Sequence, residues 1–316
     1  MRAAILTQLG ATPQAGDFPE PDAGEGEEVV EVALAAVNPV DLSISSGLFY
    51  AAIPQVPSVV GREGIARLED GSLAYFGGCI PPYGSIAERT LVESGSLVEL
   101  PPGVEAAPAL ACGIAGLAAY LSLTTRARIA AGERVLILGA GGVVGQVGVV
   151  AARKLGASRV VAAARGAKSL LQAETLGADA TVELAGSTES ITESIRQAFG
   201  GSGPDVVIDP LWGAPATAAV EAMAFGGRLV QLGQSAGTEA TFNSATVRGR
   251  CLQILGHTNF ASSADERRDA LNTMFSWVAS GELDIPSEVL PLDAVGEAWR
   301  RQADGPGLKL TVDPRA

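Results

Sequence analysis

The chain has 316 residues, of which 47% are hydrophobic and 18% charged, a composition typical of a globular protein long enough for two domains with buried cores. Its formal net charge of −13 disfavours a nucleic-acid backbone or an anionic membrane surface as a partner. Three widely spaced cysteines, no long apolar N-terminal segment and no bilayer-length apolar stretch favour the cytoplasm as its location.

The first 105 residues are predicted to be mostly β. Short apolar runs alternate there with glycine and proline turns. The predicted strands are Arg2–Leu6, Glu28–Ala36, Ser72–Tyr75, Ile86–Val92 and Ser96–Leu100. Residues 104–122 are rich in alanine with recurring apolar positions, which predicts one or two helices.

From residue 131 onward, predicted strands and helices alternate, which indicates an α/β fold with a doubly wound parallel sheet. The predicted strands are Arg134–Leu138, Arg159–Ala163, Ala180–Leu184, Asp205–Asp209, Arg228–Leu232 and Cys251–Leu255. A helix over Ser263–Ser280 and a last strand over Lys309–Val312 follow. We therefore expect a Rossmann domain over residues 111–256, inserted between the two parts of another domain, 1–110 and 257–316.

The segment from Arg134 to Arg153 places a glycine turn between an apolar strand and a helix. Such a turn lets the backbone approach a pyrophosphate, and it directs free N–H groups and the positive end of the helix dipole at the anion. Val144 stands where the strict G-x-G-x-x-G pattern has its last glycine, and a purely structural turn is the alternative. The residues expected to contact a dinucleotide are Gly139, Ala140, Gly141, Gly142, Val143, Val144 and Gly145.

The end of the second Rossmann strand bears on the choice between NADH and NADPH. NAD-preferring sites usually place an acid there to bond the ribose 2′-hydroxyl, and Ala164 occupies that position here. The missing carboxylate removes repulsion against a 2′-phosphate, and Arg165 and Lys168 supply cations near it. Incidental charges at a solvated helix start are the alternative. The sequence predicts NADPH, with NADH possible.

The nicotinamide is expected at the carboxyl ends of the later strands, where open α/β sheets bind ligands. The residues that follow strands four to six are Leu211, Trp212, Gly233, Gln234, His257 and Asn259.

Several short motifs in a fixed order resemble those of the medium-chain dehydrogenase/reductase superfamily, in its zinc-independent quinone oxidoreductase branch. They are N-P-x-D at 38–41, G-x-E-G at 61–64, G-x-x-A-E at 84–88, the helix motifs at 109–120 and Gly-Gly-Arg-Leu-Val at 226–230. The resemblance covers nearly the whole chain. It implies a β-rich, GroES-like catalytic domain around the Rossmann domain, and a homodimer that pairs through the sixth Rossmann strand.

Zinc alcohol dehydrogenases of this superfamily hold catalytic zinc with a cysteine in the first motif, a histidine in the second and a later cysteine or acid. Here the first motif lacks a cysteine, Arg62 takes the place of the histidine, and His257 is the single histidine of the chain. The three cysteines form no Cys-x-x-Cys pair. Asp41 and Glu63 alone would make a poor zinc site, so we interpret them as structural or cleft carboxylates and expect no metal.

The resemblance implies hydride transfer from NADPH to a small molecule: a quinone, an enone or a related carbonyl compound. His257 and Tyr50 are candidate donors for the acceptor oxygen, because a histidine titrates near neutral pH and a tyrosine carries a hydroxyl. Asn38 and Asp41 are candidate residues of the substrate and nicotinamide cleft, and Asn38 could equally cap a turn.

Two positions depart from the quinone reductases. Ser43 stands where they have a tyrosine, and Ala118 where they usually have a threonine. These changes leave open a low-activity NADPH-binding protein that acts as a redox sensor or scaffold. A biosynthetic enoyl or carbonyl reductase is a further alternative that the sequence does not separate from a quinone or enone reductase.

Overall fold

The computed structural model describes residues 1–51 and 53–316, which form two compact units. Residues Met1–Ile114 together with Leu271–Ala316 form the first unit, and Ala115–Ala270 form the second. Both divisions lie later in the chain than the predicted ones. Each falls inside a helical stretch, where the local sequence pattern continues across the division.

The strands are β1 (Arg2–Leu6), β2 (Gln14–Asp17), β3 (Glu27–Ala36), β4 (Ser58–Val59), β5 (Gly64–Arg67), β6 (Leu73–Phe76), β7 (Arg89–Glu93), β8 (Val98–Glu99), β9 (Arg134–Leu138), β10 (Arg159–Ala164), β11 (Ala180–Glu183), β12 (Val206–Asp209), β13 (Arg228–Gln231), β14 (Gln253–Gly256), β15 (Ser287–Pro291) and β16 (Lys309–Asp313).

The α-helices are α1 (Pro39–Ser45), α2 (Ala106–Ala111), α3 (Leu117–Leu121), α4 (Val143–Lys154), α5 (Ala167–Thr175), α6 (Thr188–Ala198), α7 (Gly213–Ala222), α8 (Ser244–Gly249), α9 (Ala264–Ala279) and α10 (Val295–Asp304). Two π-helical turns, Cys112–Gly116 and Ser122–Arg126, extend α2 and α3, and two 3₁₀ turns cover Asn259–Ala261 and Leu292–Ala294.

The second unit is built on a parallel sheet with the strand order β11-β10-β9-β12-β13-β14. β9 lies between β10 and β12, and its residues Val135–Leu138 are buried, which explains the continuous apolar run in its sequence. The chain runs outward from β9 in both directions, so the carboxyl ends of β9 and β12 flank the point where such sheets bind ligands. The predicted doubly wound Rossmann arrangement is confirmed.

The first unit is mainly antiparallel, with one parallel pair formed by β15 and β16. One sheet has the order β15-β16-β3-β5-β6-β8, with β7 beside β3, and a smaller sheet has the order β2-β1-β4. β16 pairs antiparallel with β3, with Val312 opposite Ala35. The core includes Val32, Phe76 and Leu310, so it is completed by residues from both parts of the chain.

The first unit also contains elements that the sequence did not predict. β2 and β5 are four residues each, too short for an alternating pattern to stand out, and α1 is a seven-residue helix that begins at Pro39. The predicted strand Ile86–Val92 begins later, at Arg89, because the Ile86 segment is hydrogen-bonded to β1 outside a regular ladder.

The stretch Ala106–Arg126 has the length and apolar composition of a membrane-spanning helix, but 67% of its most apolar window is buried inside the protein. A buried core helix of a soluble protein has the same composition. The stretch is also interrupted at Gly113, where φ is −61° and ψ is −131°.

Candidate functional site

The glycine turn links β9 to the start of α4. Gly139 has a φ of +65°, a left-handed conformation that glycine adopts without strain. Gly142, the residue before α4, has an extended conformation, and no side chain at this position caps the N–H groups of the helix within the described chain. The first N–H groups of a twelve-residue helix are therefore left for a ligand, and the helix dipole favours an anion there.

Close packing requires glycine at two positions of this turn. A Cβ atom at Gly145 would lie 2.4 Å from the carbonyl oxygen of Gly139, and one at Gly141 would lie 2.5 Å from the Oγ atom of Ser169. At Gly142, by contrast, the nearest atom would be 3.7 Å away. The turn thus holds α4 against the sheet and presents an open backbone face, which fits a pyrophosphate.

The end of β10 lies beside the glycine turn, because the backbone N–H of Ala140 donates to the carbonyl oxygen of Ala163 at 3.0 Å. Ala164 is the last residue of β10 and is buried, while the side chains of Arg165 and Lys168 are exposed. The position that an acid occupies in NAD-preferring sites therefore carries a methyl group, with two cations next to it. This charge arrangement suits an additional phosphate.

A buried carboxylate shapes the turn after β12. The Oδ1 atom of Asp209 accepts hydrogen bonds from the backbone N–H groups of Leu211 and Trp212, both at 2.9 Å. Burial raises the pKa of Asp209 to about 6. Trp212 has a φ of +60°, which is strained for a residue other than glycine, and its ring packs edge-on against Phe242. Asp209 holds this strained turn in place.

The turns expected to carry the nicotinamide contacts follow neighbouring strands of the second unit. A Cβ atom on Gly139 would lie 3.0 Å from Cδ2 of Leu211. A Cβ atom on Gly233 would lie 2.5 Å from the carbonyl oxygen of Pro210. The backbone N–H of His257 donates to the last residue of β13 at 2.9 Å. The structure therefore brings these predicted residues to one edge of the sheet, and Gln234 is exposed there.

The ring of His257 is half-buried, and its Nε2 atom lies 3.1 Å from Oδ1 of Asn259. Burial lowers the pKa of His257, the hydrogen bond with Asn259 opposes this, and the charge of Arg126 lowers the pKa further. The imidazole is consequently neutral at pH 7. Its single N–H is directed to the amide oxygen of Asn259, which leaves Nδ1 as an acceptor. His257 is therefore a weaker candidate for donating a proton.

In the first unit, four buried side chains form what we call the buried charge cluster: Asn38, Asp41, Glu63 and Lys309. The Nζ atom of Lys309 donates to Oε1 of Glu63 at 2.6 Å and to Oδ1 of Asn38 at 2.8 Å. The Nδ2 atom of Asn38 donates to the same Glu63 oxygen at 2.9 Å. The side chain of Asn38 is thus engaged at both ends inside the unit.

Asp41 lies in the first turn of α1 and is 2% exposed. Its Oδ2 atom accepts the backbone N–H of Asn38 at 2.8 Å, and its Oδ1 atom has no hydrogen-bond partner within the described residues. Burial raises the pKa of Asp41 to about 7, and the negative charge of Glu63 adds to the increase, while Lys309 and Arg62 oppose it. Asp41 is therefore largely protonated below neutral pH.

The sequence analysis missed Lys309. The one available signal was a lysine at the start of a short strand that also contains Leu310 and Val312. Tyr50, a predicted donor, lies in the loop after α1 with 77% of its surface exposed, and its ring is 4.6 Å from that of Phe49. Tyr50 therefore lies at the surface and is not part of the buried charge cluster.

The residues of the described chain offer no group of three or more His, Cys, Asp or Glu side chains placed to hold a metal ion. Cys79, Cys112 and Cys251 are free cysteines. A tetrahedral zinc site needs four such ligands, or three with an open position, and the described residues present no donor set of this kind.

Comparisons with known proteins agree with this architecture. Residues 143–278 match the family model of the zinc-binding dehydrogenases, a range that leaves out the N-P-x-D and G-x-E-G segments. The chain is 27% identical to prostaglandin reductase-3 of Bos taurus, covering 94% of this chain and 82% of that protein. It is 30% identical over 223 residues to a mycocerosic acid synthase-like polyketide synthase of Mycobacterium tuberculosis, covering 67% of this chain and 10% of that longer protein.

Solved structures resemble the whole chain. The quinone oxidoreductase from Thermus thermophilus, also determined in complex with NADPH, has a TM-score of 0.85 and 29% identity, covering 99% of this chain and 100% of that one. A probable oxidoreductase from Mycobacterium abscessus has a TM-score of 0.84 and 27% identity, with 99% of each chain covered. Together with the Rossmann strand order and the glycine turn, these likenesses show that the chain belongs to the medium-chain dehydrogenase/reductase superfamily of NAD(P)H-dependent oxidoreductases, in its quinone oxidoreductase-like branch.

Proposed function

We propose that this protein is an NADPH-dependent, zinc-independent reductase that transfers a hydride to a quinone, an enone or a related carbonyl compound. The observation that carries the proposal is the glycine turn beside the end of β10, where Ala164 replaces an acid and two exposed cations follow. The Thermus thermophilus enzyme, determined with NADPH, and prostaglandin reductase-3 support the same reaction class.

The binding of the dinucleotide is assigned to residues of the second unit. The turn from Gly139 to Gly145 would offer backbone N–H groups to the pyrophosphate, and Arg165 and Lys168 would bind the 2′-phosphate. The turns at 211–212 and 233–234 shape the nicotinamide end. When bound, NADPH supplies the hydride that reduces the acceptor.

Polarisation of the acceptor oxygen is assigned to neutral hydrogen-bond donors, because the donor set of the chain does not fit zinc. His257 is the favoured donor: its ring is neutral at pH 7, and its single N–H reaches the acceptor once it leaves the amide oxygen of Asn259. Asn38 and Asp41 are buried, so we assign them to the support of the acceptor site and not to contact with the acceptor. Tyr50 remains a second donor only if its exposed loop folds over the acceptor.

The test is stereospecific transfer of deuterium from C4-deuterated NADPH to a panel of quinones and enones, with the product analysed by mass spectrometry. We expect deuterium on the carbon β to the carbonyl of enones, and faster turnover with NADPH than with NADH. His257→Gln should lower kcat with little change in NADPH affinity. Absence of turnover with every acceptor would contradict the proposal, and tight NADPH binding in that case would favour the redox sensor or scaffold.

A biosynthetic enoyl reductase is the second candidate, and the likeness to the polyketide synthases favours it. Comparison of kcat/KM for enoyl thioesters and for quinones distinguishes the two. A preference on the order of 100-fold or more for the thioester, equal to about 2.7 kcal/mol of transition-state stabilisation, would decide for the biosynthetic role.

We further propose that the protein is a cytoplasmic homodimer that pairs through β14. This strand ends the described order of the parallel sheet, and the side chains of Gln253 and Ile254 are exposed. An edge strand of this kind is a template for pairing with a second chain. Light scattering should give twice the mass of 32.0 kDa, and Ile254→Lys should shift the protein to the monomer. A monodisperse wild-type monomer would contradict pairing.

A further inference from the structure

The carboxylate of Glu63 is fully buried and accepts hydrogen bonds from four separate segments of the described chain. Its Oε1 atom accepts from Lys309 at 2.6 Å and from Asn38 at 2.9 Å. Its Oε2 atom accepts from the hydroxyl of Tyr75 at 2.9 Å and from the backbone N–H of Ile114 at 2.6 Å. Each carboxylate oxygen therefore accepts from two donors, so both oxygens of this buried group are satisfied.

The bond to Ile114 lies at the break in the apolar helical stretch. Gly113 has a ψ of −131°, outside the helical range, and this frees the N–H of Ile114 to meet Glu63. A Cβ atom at Gly113 would lie 2.0 Å from Oε2 of Glu63, so only glycine permits this approach. Ile114 is the last residue of the first unit before the chain continues into the nucleotide-binding unit.

On the other side, Glu63 fixes the start of α1. Asn38 precedes α1 and is held at both ends of its amide, by Glu63 and by Lys309. The backbone N–H of Asn38 in turn donates to Asp41 in the first turn of the helix. The orientation of Asn38 and Asp41, the residues assigned to the support of the acceptor site, thus depends on the Glu63 carboxylate.

Lys309 supplies the opposite charge. Its side chain is 2% exposed, and the ammonium contacts both Glu63 and Asn38. Removing one partner of a buried ion pair leaves the other as an uncompensated charge, whereas removing both can be nearly neutral. The pair must therefore be tested by single and double substitutions.

We infer that Glu63 is a positioning residue of the reductase, with Lys309 as its buried counter-charge. Glu63 fixes Asn38 and Asp41 relative to Ile114, the residue at which the chain leaves the first unit. This inference rests on the proposed function. It assigns to Glu63 an effect on turnover of the acceptor and none on the affinity for NADPH, whose contacts lie in the second unit.

The experiment compares Glu63→Gln, Lys309→Met and the double variant, with Tyr75→Phe as the control that removes one donor and leaves both charges. For each full-length protein we would measure the unfolding midpoint, the hydrogen exchange of peptides containing Ile114 and residues 38–45, the Kd of NADPH, and kcat and KM for an enone. All measurements are made well below the lowest unfolding midpoint.

Glu63→Gln should lower the midpoint by about 10 °C, since Lys309 is then buried without its partner. It should also raise exchange at Ile114 and at 38–45 and lower kcat on the order of tenfold, with the Kd of NADPH within about twofold. The double variant should recover most of all three losses. The oxygen of the new amide can accept from Tyr75 and Ile114, and once the Asn38 amide turns over, the new NH2 group can donate to the Asn38 oxygen that Lys309 vacates. Tyr75→Phe should have the smallest effect.

A folded Glu63→Gln protein with wild-type kcat would overturn the positioning role and leave a structural ion pair. A double variant no better than the single variant would overturn the counter-charge role. If wild-type protein reduces no acceptor, the proposed function fails, and hydrogen exchange still decides this inference. Unchanged protection of Ile114 and of residues 38–45 in Glu63→Gln would then refute it.

Discussion

The glycine turn of the second unit and the buried charge cluster of the first are held in a defined geometry by opposite means. In the turn, side chains are missing: α4 meets β9 because Gly145 has no Cβ to strike the Gly139 carbonyl. In the cluster, side chains from distant segments meet, with Glu63 and Lys309 246 residues apart. A turn of the first kind is specified locally, whereas a cluster of the second kind exists only after the fold has formed.

The difference predicts different sensitivities. The turn should fail when volume is added and should be little affected by pH. The cluster should fail when a charge is lost or gained, because a buried charge without a partner costs several kcal/mol. Four further experiments test this contrast, from the largest expected effect to the smallest.

Gly145→Ala tests the volume limit of the turn. The new methyl group would lie within 2.5 Å of backbone atoms of Gly139 and Ala140, so we expect a loss of about 3 kcal/mol in the free energy of unfolding and a fall of roughly tenfold or more in NADPH affinity. Urea unfolding and fluorescence titration measure the two quantities. Gly148→Ala, in the same helix and with contacts of 3.4 Å or more, should match or exceed wild-type stability. Equal unfolding free energies and equal NADPH affinities of the two variants would contradict the volume limit at Gly145.

Asp41→Asn tests the charge sensitivity of the cluster. Because the folded-state pKa of Asp41 is raised from 3.8 to about 7, its protonated form favours folding, and stability is lost as the pH rises toward 7. Between about pH 5.5 and pH 8.5 the wild type should lose about 2 kcal/mol of unfolding free energy relative to Asp41→Asn. The exposed change Asp22→Asn should follow the wild type. Parallel curves for wild type and Asp41→Asn would show that the carboxylate does not titrate in this range.

Arg165→Ala tests whether charge matters at the edge of the turn. Loss of this exposed cation should weaken NADPH binding about tenfold and leave NADH binding unchanged, because NADH lacks the 2′-phosphate. Isothermal titration with both dinucleotides measures the effect. Arg248→Ala, in the last turn of α8, is the control and should change neither affinity. Equal losses for the two dinucleotides would remove Arg165 from the 2′-phosphate site.

Tyr50→Phe should give the smallest change. The residue is exposed in a loop outside both the turn and the cluster, so kcat with an enone should stay within about twofold of wild type. A loss on the order of tenfold would show instead that the loop closes over the acceptor and that Tyr50 contributes its hydroxyl.

The same contrast explains what the sequence could predict. β1 and β9 were predicted with their observed bounds, because an apolar run ended by a turn identifies a strand locally. The glycine turn was predicted for the same reason. The role of Asp209 was not, because the strain at Trp212 depends on a backbone conformation that the residue type disfavours.

Glu63 was noticed as a motif residue, and its four donors were not. Tyr75, Ile114 and Lys309 reach it through sheet pairing and a helix break, and no spacing in the sequence relates them. Lys309 stood in a predicted strand, where a lysine is ordinarily solvated. Its burial follows from the pairing of β16 with β3, a long-range contact.

The distance between Glu63 and Lys309 along the chain has a consequence for synthesis. At roughly 5 to 20 residues per second, a ribosome adds the 246 residues between them in about 10 to 50 s. The entire nucleotide-binding unit emerges during that interval and has all its strands in one continuous segment. Until Lys309 has been added, the core of the first unit is incomplete and Glu63 has no counter-charge. The nucleotide-binding unit is therefore free to fold first during translation, and the other unit closes last, when its lysine arrives.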